Sequence, residues 1–345
     1  MTDSNQKEKK RQRLPLWAVT LITALVAILV LAAATAITVN MVLNKISRPD
    51  INQAYYTEDE LMELDLEEAV KEGAGKDSVV YPELDPSQIQ WGKKAEEVGQ
   101  EQELINILLI GQDARNGETR ARSDSMILVT FNQTAGTVTL TSFMRDLYVQ
   151  IPGYQDNRIN AAYAFGGMNL LDETLRVNFG VEVDANISVN FDGFSDIIDA
   201  LGGVEIELSS AEANALGLSA GTHRLNGDTA LTYARIRKID SDFYRTERQR
   251  KLIASLFYSL KTASFSQLTS LMDTLLPLVT TDMSNAQIVG YITELFPMLA
   301  TSSLASSRIP ADDTYSMNSI RGMSVIVADM EVNRMILKET LEPEG

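Results

Sequence analysis

No charged residue occurs between Arg13 and Lys45, and Leu, Val, Ile and Ala dominate the stretch from Leu16 to Leu43. A helix crosses the bilayer hydrocarbon with about 20 apolar residues. The run is longer than that and predicts a transmembrane anchor over residues 14–44. Lys7, Lys9, Lys10, Arg11 and Arg13 precede it. A basic flank stays on the cytoplasmic side, so residues 1–13 read as a cytoplasmic tail. Everything after Lys45 is then expected outside the cell membrane, on a single-pass protein. The rival reading is a cleaved signal peptide, with small residues from Ala32 to Ala36 at its cleavage point. Signal cores span about 7–15 residues, so length favours the retained anchor.

Between Asp50 and Glu103, 16 acidic residues face 4 basic ones, which places most of the net charge of −17 in this stretch. Residues 45–103 read as an acidic stalk holding a domain off the membrane, or else as a segment that binds a partner or cation. The overall charge argues against a general affinity for nucleic acid. The chain has no cysteine, which removes disulfides, thiolate metal sites and a cysteine nucleophile. Its single histidine, His223, makes a Ser-His-Asp triad or a two-histidine metal site improbable.

Past Leu104 the pattern changes. Leu104 to Ile110 is a short apolar run ending at Gly111 and reads as a buried strand. Met126–Phe131 and Thr137–Ser142 read as a hairpin across Asn132–Gly136. Leu147–Ile151 is expected to continue the sheet, and Ile187–Asn190 and Val204–Glu207 to form strands between helices. Helices are predicted over Met168–Phe179, Phe191–Leu201, from Asn226-Gly227, and over Arg245–Ala263, Ser266–Val279, Ser284–Met298 and Ala328–Leu341. Residues 104–345 should therefore fold as a three-layer α-β-α sandwich with a mixed central sheet, its motifs concentrated in 104–260.

Three clusters combine Asp with Arg. Asp113 follows the first strand and Asp124 precedes the second, with Arg122 beside it. Such strand ends are where open α/β sheets bind ligands. Two carboxylates there suit a hard cation such as Mg²⁺, with Mn²⁺ an acceptable substitute, although loop carboxylates also cap turns. Arg145-Asp146 follows the third strand and either enters the same cleft or makes a surface ion pair. Arg235 and Arg237 are two apart, a spacing that shares a face only in extended chain, so the helix begun near Asp228 should unwind there. Asp242, Arg245 and Gln249 then form one stripe on the next helix. Arginine forks bind phosphate oxygens bidentately. A plain solvated charged face would look similar. Taken together, the clusters suit phosphoryl transfer, which needs charge neutralisation, positioning and one base.

These residues resemble the LytR-CpsA-Psr family of cell-wall ligases. The likeness lies in Asn106–Asp113, Arg122–Met126, Arg145-Asp146, Arg158–Tyr163, Asn190–Phe194, Leu225–Gly227, Ala230–Arg237 and Asp240–Gln249. It implies a transferase that moves an anionic glycopolymer, such as teichoic acid or capsule, from a polyprenyl pyrophosphate to a peptidoglycan hydroxyl. It further implies that Asp113 and Asp124 hold Mg²⁺. Arg122, Arg145, Arg235, Arg237, Arg245 and Gln249 would grip the pyrophosphate. Asp124, Asp242 and Arg237 would form the catalytic set, with either aspartate as base. The family's apolar lipid tunnel would draw on Phe191–Leu201 and Leu252–Leu260, residues that also read as ordinary core. The chain departs from the family pattern at Met144, where proline is usual, at Arg158 for lysine and at Tyr244 for glycine. Two further readings stand beside the transferase: a pyrophosphatase acting on the same lipid, and a membrane-anchored regulator binding lipid phosphates. The regulator has only a short cytoplasmic tail with which to signal.

Overall fold

The computed structural model describes residues 36–48, 56–61, 81–99, 102–112, 122–236, 239, 242–262 and 275–343. The chain divides into residues 1–45 and residues 46–345. In the first unit residues 36–43 are helical. The anchor expected over 14–44 otherwise lies outside the described residues, and among the described residues no helix is long and apolar enough to cross a membrane. The central sheet and its covering helices belong to the second unit.

Strand β1 (Leu104–Gln112) alternates two apolar sets, as a strand buried on both faces must. Leu108 and Ile110 face one layer, while Ile105, Ile107 and Leu109 face the other. β1 pairs antiparallel with β2 (Ser123–Asn132), which pairs antiparallel with β3 (Thr137–Phe143) across the expected hairpin. β4 (Tyr148–Val149) and β5 (Asn157–Arg158) form a separate small ladder. The expected continuation of the main sheet through Leu147–Ile151 is thus corrected: Met144 to Asp146 turn the chain out of it, and Leu147 bridges to Ile326 instead. Helix α1 (Ile159–Phe179) begins nine residues before the predicted start and bends at Gly166-Gly167, where Gly167 adopts φ 65°. The Gly-Gly pair hid the first two turns from a periodicity reading.

β6 (Ala185–Asn190) runs parallel to β1 and leads into α2 (Phe191–Ala200), whose Asn190 cap accepts from Gly193 N. β7 (Val204–Leu208) and β8 (Gly221–Leu225) form a detached hairpin around α3 (Ser210–Leu216), so β7 is not a central strand. α4 (Gly227–Ala234) and α5 (Asp242–Thr262) follow. In place of the end of the helix expected over Ser266–Val279 stand a 3₁₀ turn, Leu276–Leu278, and β9 (Val279–Thr281); residues 263–274 lie outside the description. After α6 (Asn285–Thr301) come β10 (Ser303–Ile309), β11 (Tyr315–Ile320) and β12 (Met323–Ala328), none predicted, and α7 (Met330–Leu341).

The central sheet has the order β10-β3-β2-β1-β6-β9 and is mixed. One face packs on α1 and α7 through Met126, Leu128, Phe143, Leu171, Leu175 and Leu337. The other packs on α5 and α6 through Ile127, Phe131, Leu140, Phe257 and Leu295. This is the expected mixed α/β sandwich. Leu61 and Val98 are buried in the first of these layers, with Trp91 packed against it, so the 45–103 stretch supplies packing as well as charge. Gly180, at φ 73°, has no room for a Cβ because Glu96 O would lie 1.7 Å from it. Strand directions bring the carboxyl ends of β1, β3, β6 and β10 and the amino end of β2 to one edge of the sheet.

Candidate active site

At that edge β1 ends in a register shift between Gly111 and Gln112. The buried Gln112 Nε2 donates to Tyr163 Oη at 2.7 Å and to Ser188 Oγ, tying β1 to α1 and β6. Next to it, Asp124 opens β2 and accepts from Arg145 Nη1 at 2.8 Å. Arg145 Nε lies 3.5 Å from Asp146, whose other oxygen accepts from Arg158 Nη1 at 3.3 Å. Asp124, Arg145, Asp146 and Arg158 thus alternate in sign along one nearly buried chain.

Backbone bonds fix the Arg145 turn. Met144 N donates to Ile309 O at 2.9 Å, Ile326 N to Asp146 O at 2.9 Å, and Ile159 N to Leu147 O at 2.8 Å. Met144 therefore uses an N–H that the family's usual proline lacks. Its side chain is fully buried, and its Sδ accepts from Thr246 Oγ1 at 3.4 Å. That contact seats the first turns of α5 beside the Arg145 turn. There Arg245, also buried, places Nη2 at 2.8 and 2.9 Å from the two oxygens of Asp242.

Helix α4 ends at Ala234, as the Arg235–Arg237 spacing requires, and the Arg235 guanidinium stacks 3.9 Å above the Phe191 ring. Below this pair is an apolar cavity of about 160 Å³ among α2, α4, α5 and the sheet, lined by Phe191, Phe194, Ile197, Leu231, Leu252 and Leu256, with Gln249 and Gly111 also on its wall. Both segments expected to line a tunnel contribute to it.

The structure thus brings Asp124, Arg145, Asp242 and Arg245 to one sheet edge, and sets Gln249 on the wall of the adjoining cavity with Arg235 stacked on its Phe191. Arg122 instead donates to Leu61 O at 3.2 Å. Asp113 and Arg237 lie outside the described residues. Mg²⁺ binds through one or two carboxylates and completes its shell with water and phosphate oxygens. Among the described residues no three His, Cys, Asp or Glu converge on a common point. Of the expected metal pair only Asp124 lies among the described residues, where its carboxylate is held by Arg145.

Arg248 falls within the Asp240–Gln249 motif but was given no role of its own, and Arg308 was not singled out by the sequence. Arg248 is 1 % exposed, donates to Ile236 O at 2.6 Å and lies 3.7 Å from Glu212, pinning the chain just after Arg235. A buried Arg in a run of four charged or polar neighbours carries no sequence signature. Arg308, at the end of β10, lies 4.5 Å over Phe243 and pairs with Asp312. Arg250 bonds Ser306 Oγ at 2.8 Å; burial lowers its pKa, Glu247 opposes this, and the charge of Arg308 adds to it.

The model of the family described as LytR_cpsA_psr matches residues 74–340. The polyisoprenyl-teichoic acid–peptidoglycan teichoic acid transferase TagT of Bacillus subtilis is 31 % identical over 277 residues, 76 % of this chain and 76 % of that protein. TagU of Bacillus mycoides, with the same described activity, is 40 % identical over 177 residues, 50 % of this chain and 57 % of that one. The solved structure of TagT bound to LIIa-WTA superposes with a TM-score of 0.58 at 27 % identity, covering 76 % of this chain and 97 % of that one.

Proposed function

This chain belongs to the LytR-CpsA-Psr family, and from that premise we infer that it is a phosphotransferase moving a polyprenyl-pyrophosphate-linked anionic glycopolymer onto peptidoglycan at the outer face of the membrane. One observation carries the reading: buried arginine–aspartate pairs and an apolar cavity lie at one end of the sheet, with Arg235 stacked on the cavity residue Phe191. A ligand suited to both halves joins a phosphate-rich head to a hydrocarbon tail.

In this reading Arg145, Arg235, Arg237, Arg245 and Gln249 hold the diphosphate, with Arg122 at the rim, and the lipid enters past Phe191. Asp124 and Asp113 would hold Mg²⁺, which neutralises phosphate charge when bound. An acceptor hydroxyl attacks the phosphorus that bears the polymer, and polyprenyl monophosphate leaves. Asp124 or Asp242 takes the hydroxyl proton. Positioning and electrostatics, not covalent catalysis, lower the barrier in such transfers. The residues before 46 anchor the domain to the membrane.

The test uses the purified extracytoplasmic domain with lipid-linked polymer, Mg²⁺ and peptidoglycan oligomers. A covalent phosphodiester product is expected, and Asp124→Ala and Arg237→Ala should abolish it while leaving the fold intact. Release of only phosphorylated glycan and polyprenyl phosphate would replace this reading with the pyrophosphatase.

A further inference from the structure

A second groove, of about 590 Å³, lies between residues 88–92, the start of β11 and the amino end of α7. Its origin is local. Leu84 N donates to Ser319 O and Ser319 N to Pro82 O, so residues 82–84 lie along β11. The 3₁₀ turn Pro86–Gln88 then carries the chain away and leaves the first residues of β11 open. Gly92 closes one end against Glu331. Gln88, Gln90, Asp313 and Ser316 stand exposed in the groove, beside the half-buried Tyr315 and the helix-capping Asp329.

The groove connects to the reaction edge. Residues 310–314 leave the carboxyl end of β10, which lies beside that of β3. Tyr315 stacks on Phe243 at 4.9 Å, Arg308 covers Phe243, and Phe243 directly follows Asp242. The apolar cavity lies on the face covered by α5, whereas this groove lies on the face covered by α7. The Asp242–Arg245 pair stands next to Phe243, on which the groove residue Tyr315 stacks.

We propose that this groove binds the acceptor, a neutral glycan strand that presents a sugar hydroxyl; the assignment rests on the transferase reading above. Two arguments select the occupant. In-line displacement puts the attacking oxygen opposite the leaving group. With the lipid phosphate leaving toward the apolar cavity, the acceptor must come from the other side. Second, among the described residues no lysine, arginine or histidine lines the groove, whereas Asp313, Asp329 and Glu331 do. An anionic polymer is repelled there, while carboxamides, carboxylates, a serine hydroxyl and an aromatic face match the hydroxyls and apolar faces of sugars. The step balances: the acceptor oxygen bonds to the polymer-bearing phosphorus, the bridging P–O bond breaks, the lipid phosphate keeps that electron pair, and the hydroxyl proton passes through an aspartate to solvent.

The experiment compares wild type with Gln90→Ala/Asp313→Ala and, separately, Ser316→Arg, all at exposed positions. The readouts are binding of a soluble uncross-linked peptidoglycan oligomer by titration, KM for that acceptor and for lipid-linked donor, and slow donor hydrolysis without acceptor. The variants should weaken acceptor binding and raise acceptor KM by about 10-fold or more, with donor KM and hydrolysis within about twofold of wild type. Unchanged acceptor binding and KM, or an equal fall in donor hydrolysis, would overturn the groove assignment. If wild type binds the oligomer through these residues yet never forms the phosphodiester, the transferase reading fails and the binding site stands. If wild type transfers and the variants transfer equally well, only the groove fails.

Discussion

Asp172 offers a stability measurement whose sign the structure fixes. Its Oδ2 accepts from Asn186 Nδ2 at 2.8 Å, and the same amide donates to Asp282 Oδ2 at 2.8 Å. Asp172 Oδ1 is sealed from solvent without a hydrogen-bond partner among the described residues, although the residue as a whole is only half-buried. Burial pushes the carboxyl up to about 7; the Asn186 bond works against this, and Asp282 and Glu182 add to it. The native state therefore keeps a proton that the unfolded chain releases near 3.8. Stability from this group is complete below about pH 4, falls as pH rises toward 7, and stays at the lower level above that. A rise from 3.8 to about 7, at about 1.4 kcal/mol per tenfold change in proton affinity, sets an upper bound of about 4 kcal/mol. Local water and side-chain relaxation reduce it, so about 2–4 kcal/mol is the working range, a large share of a domain's total. In Asp172→Asn the neutral amide still accepts from Asn186 and can donate to Asn186 Oδ1, itself buried without a partner. Urea unfolding of the two proteins at pH 4 and pH 8 isolates the effect. The variant should match wild type at pH 4 and exceed it by about 2–4 kcal/mol at pH 8. Parallel pH dependences for the two proteins would refute the reasoning.

Three other outcomes are expected. Arg248→Met removes the donor of Ile236 O and the buried cation beside Glu212, which keeps its Ser209 hydrogen bonds, and should cost about 3–5 kcal/mol by thermal or urea unfolding while raising donor KM through the loosened Arg235 turn. Ile197→Trp fills the apolar cavity and should slow turnover of a long polyprenyl donor about 10-fold or more, while a short-chain analogue reacts at nearly the wild-type rate; equal slowing of both would remove the tail from that cavity. Chelation of divalent ions should weaken donor binding about 10-fold or more by titration, with no change in the unfolding temperature of the donor-free protein.

The apolar runs of β1, β2 and β3 were legible because each strand is buried and flanked by glycine or a tight turn. The break after Ala234 was legible from the two-residue spacing of Arg235 and Arg237. β10 and β11 were not, because SLASSRI and YSMNSI carry few large apolar groups. β10 is an edge strand and β11 belongs to a two-stranded ladder, so neither needs a continuous buried face. The site shows the same division. Asp and Arg at strand ends announced themselves by type and position. Met144 acts through a backbone N–H and a buried sulfur, and Arg308 through stacking on a ring 65 positions away in the chain. Neither role leaves a local pattern.

The electrostatics of the edge bear on how an acidic protein would handle the diphosphate of the proposed donor. Arg145, Arg158 and Arg245 each have an aspartate partner, so the described centre is close to neutral before substrate arrives. A pocket of uncompensated buried arginines would be costly to fold; these pairs avoid that cost and hold the guanidinium groups in place. Incoming phosphate oxygens then compete with carboxylate oxygens of the same charge type for the same donors. If Arg145 turns from Asp124 to a phosphate, Asp124 is left facing the diphosphate with its charge uncovered. On the proposed reading, a divalent ion held by Asp124 would offset that repulsion, so the paired arginine and the metal-holding aspartate would be two states of one arrangement.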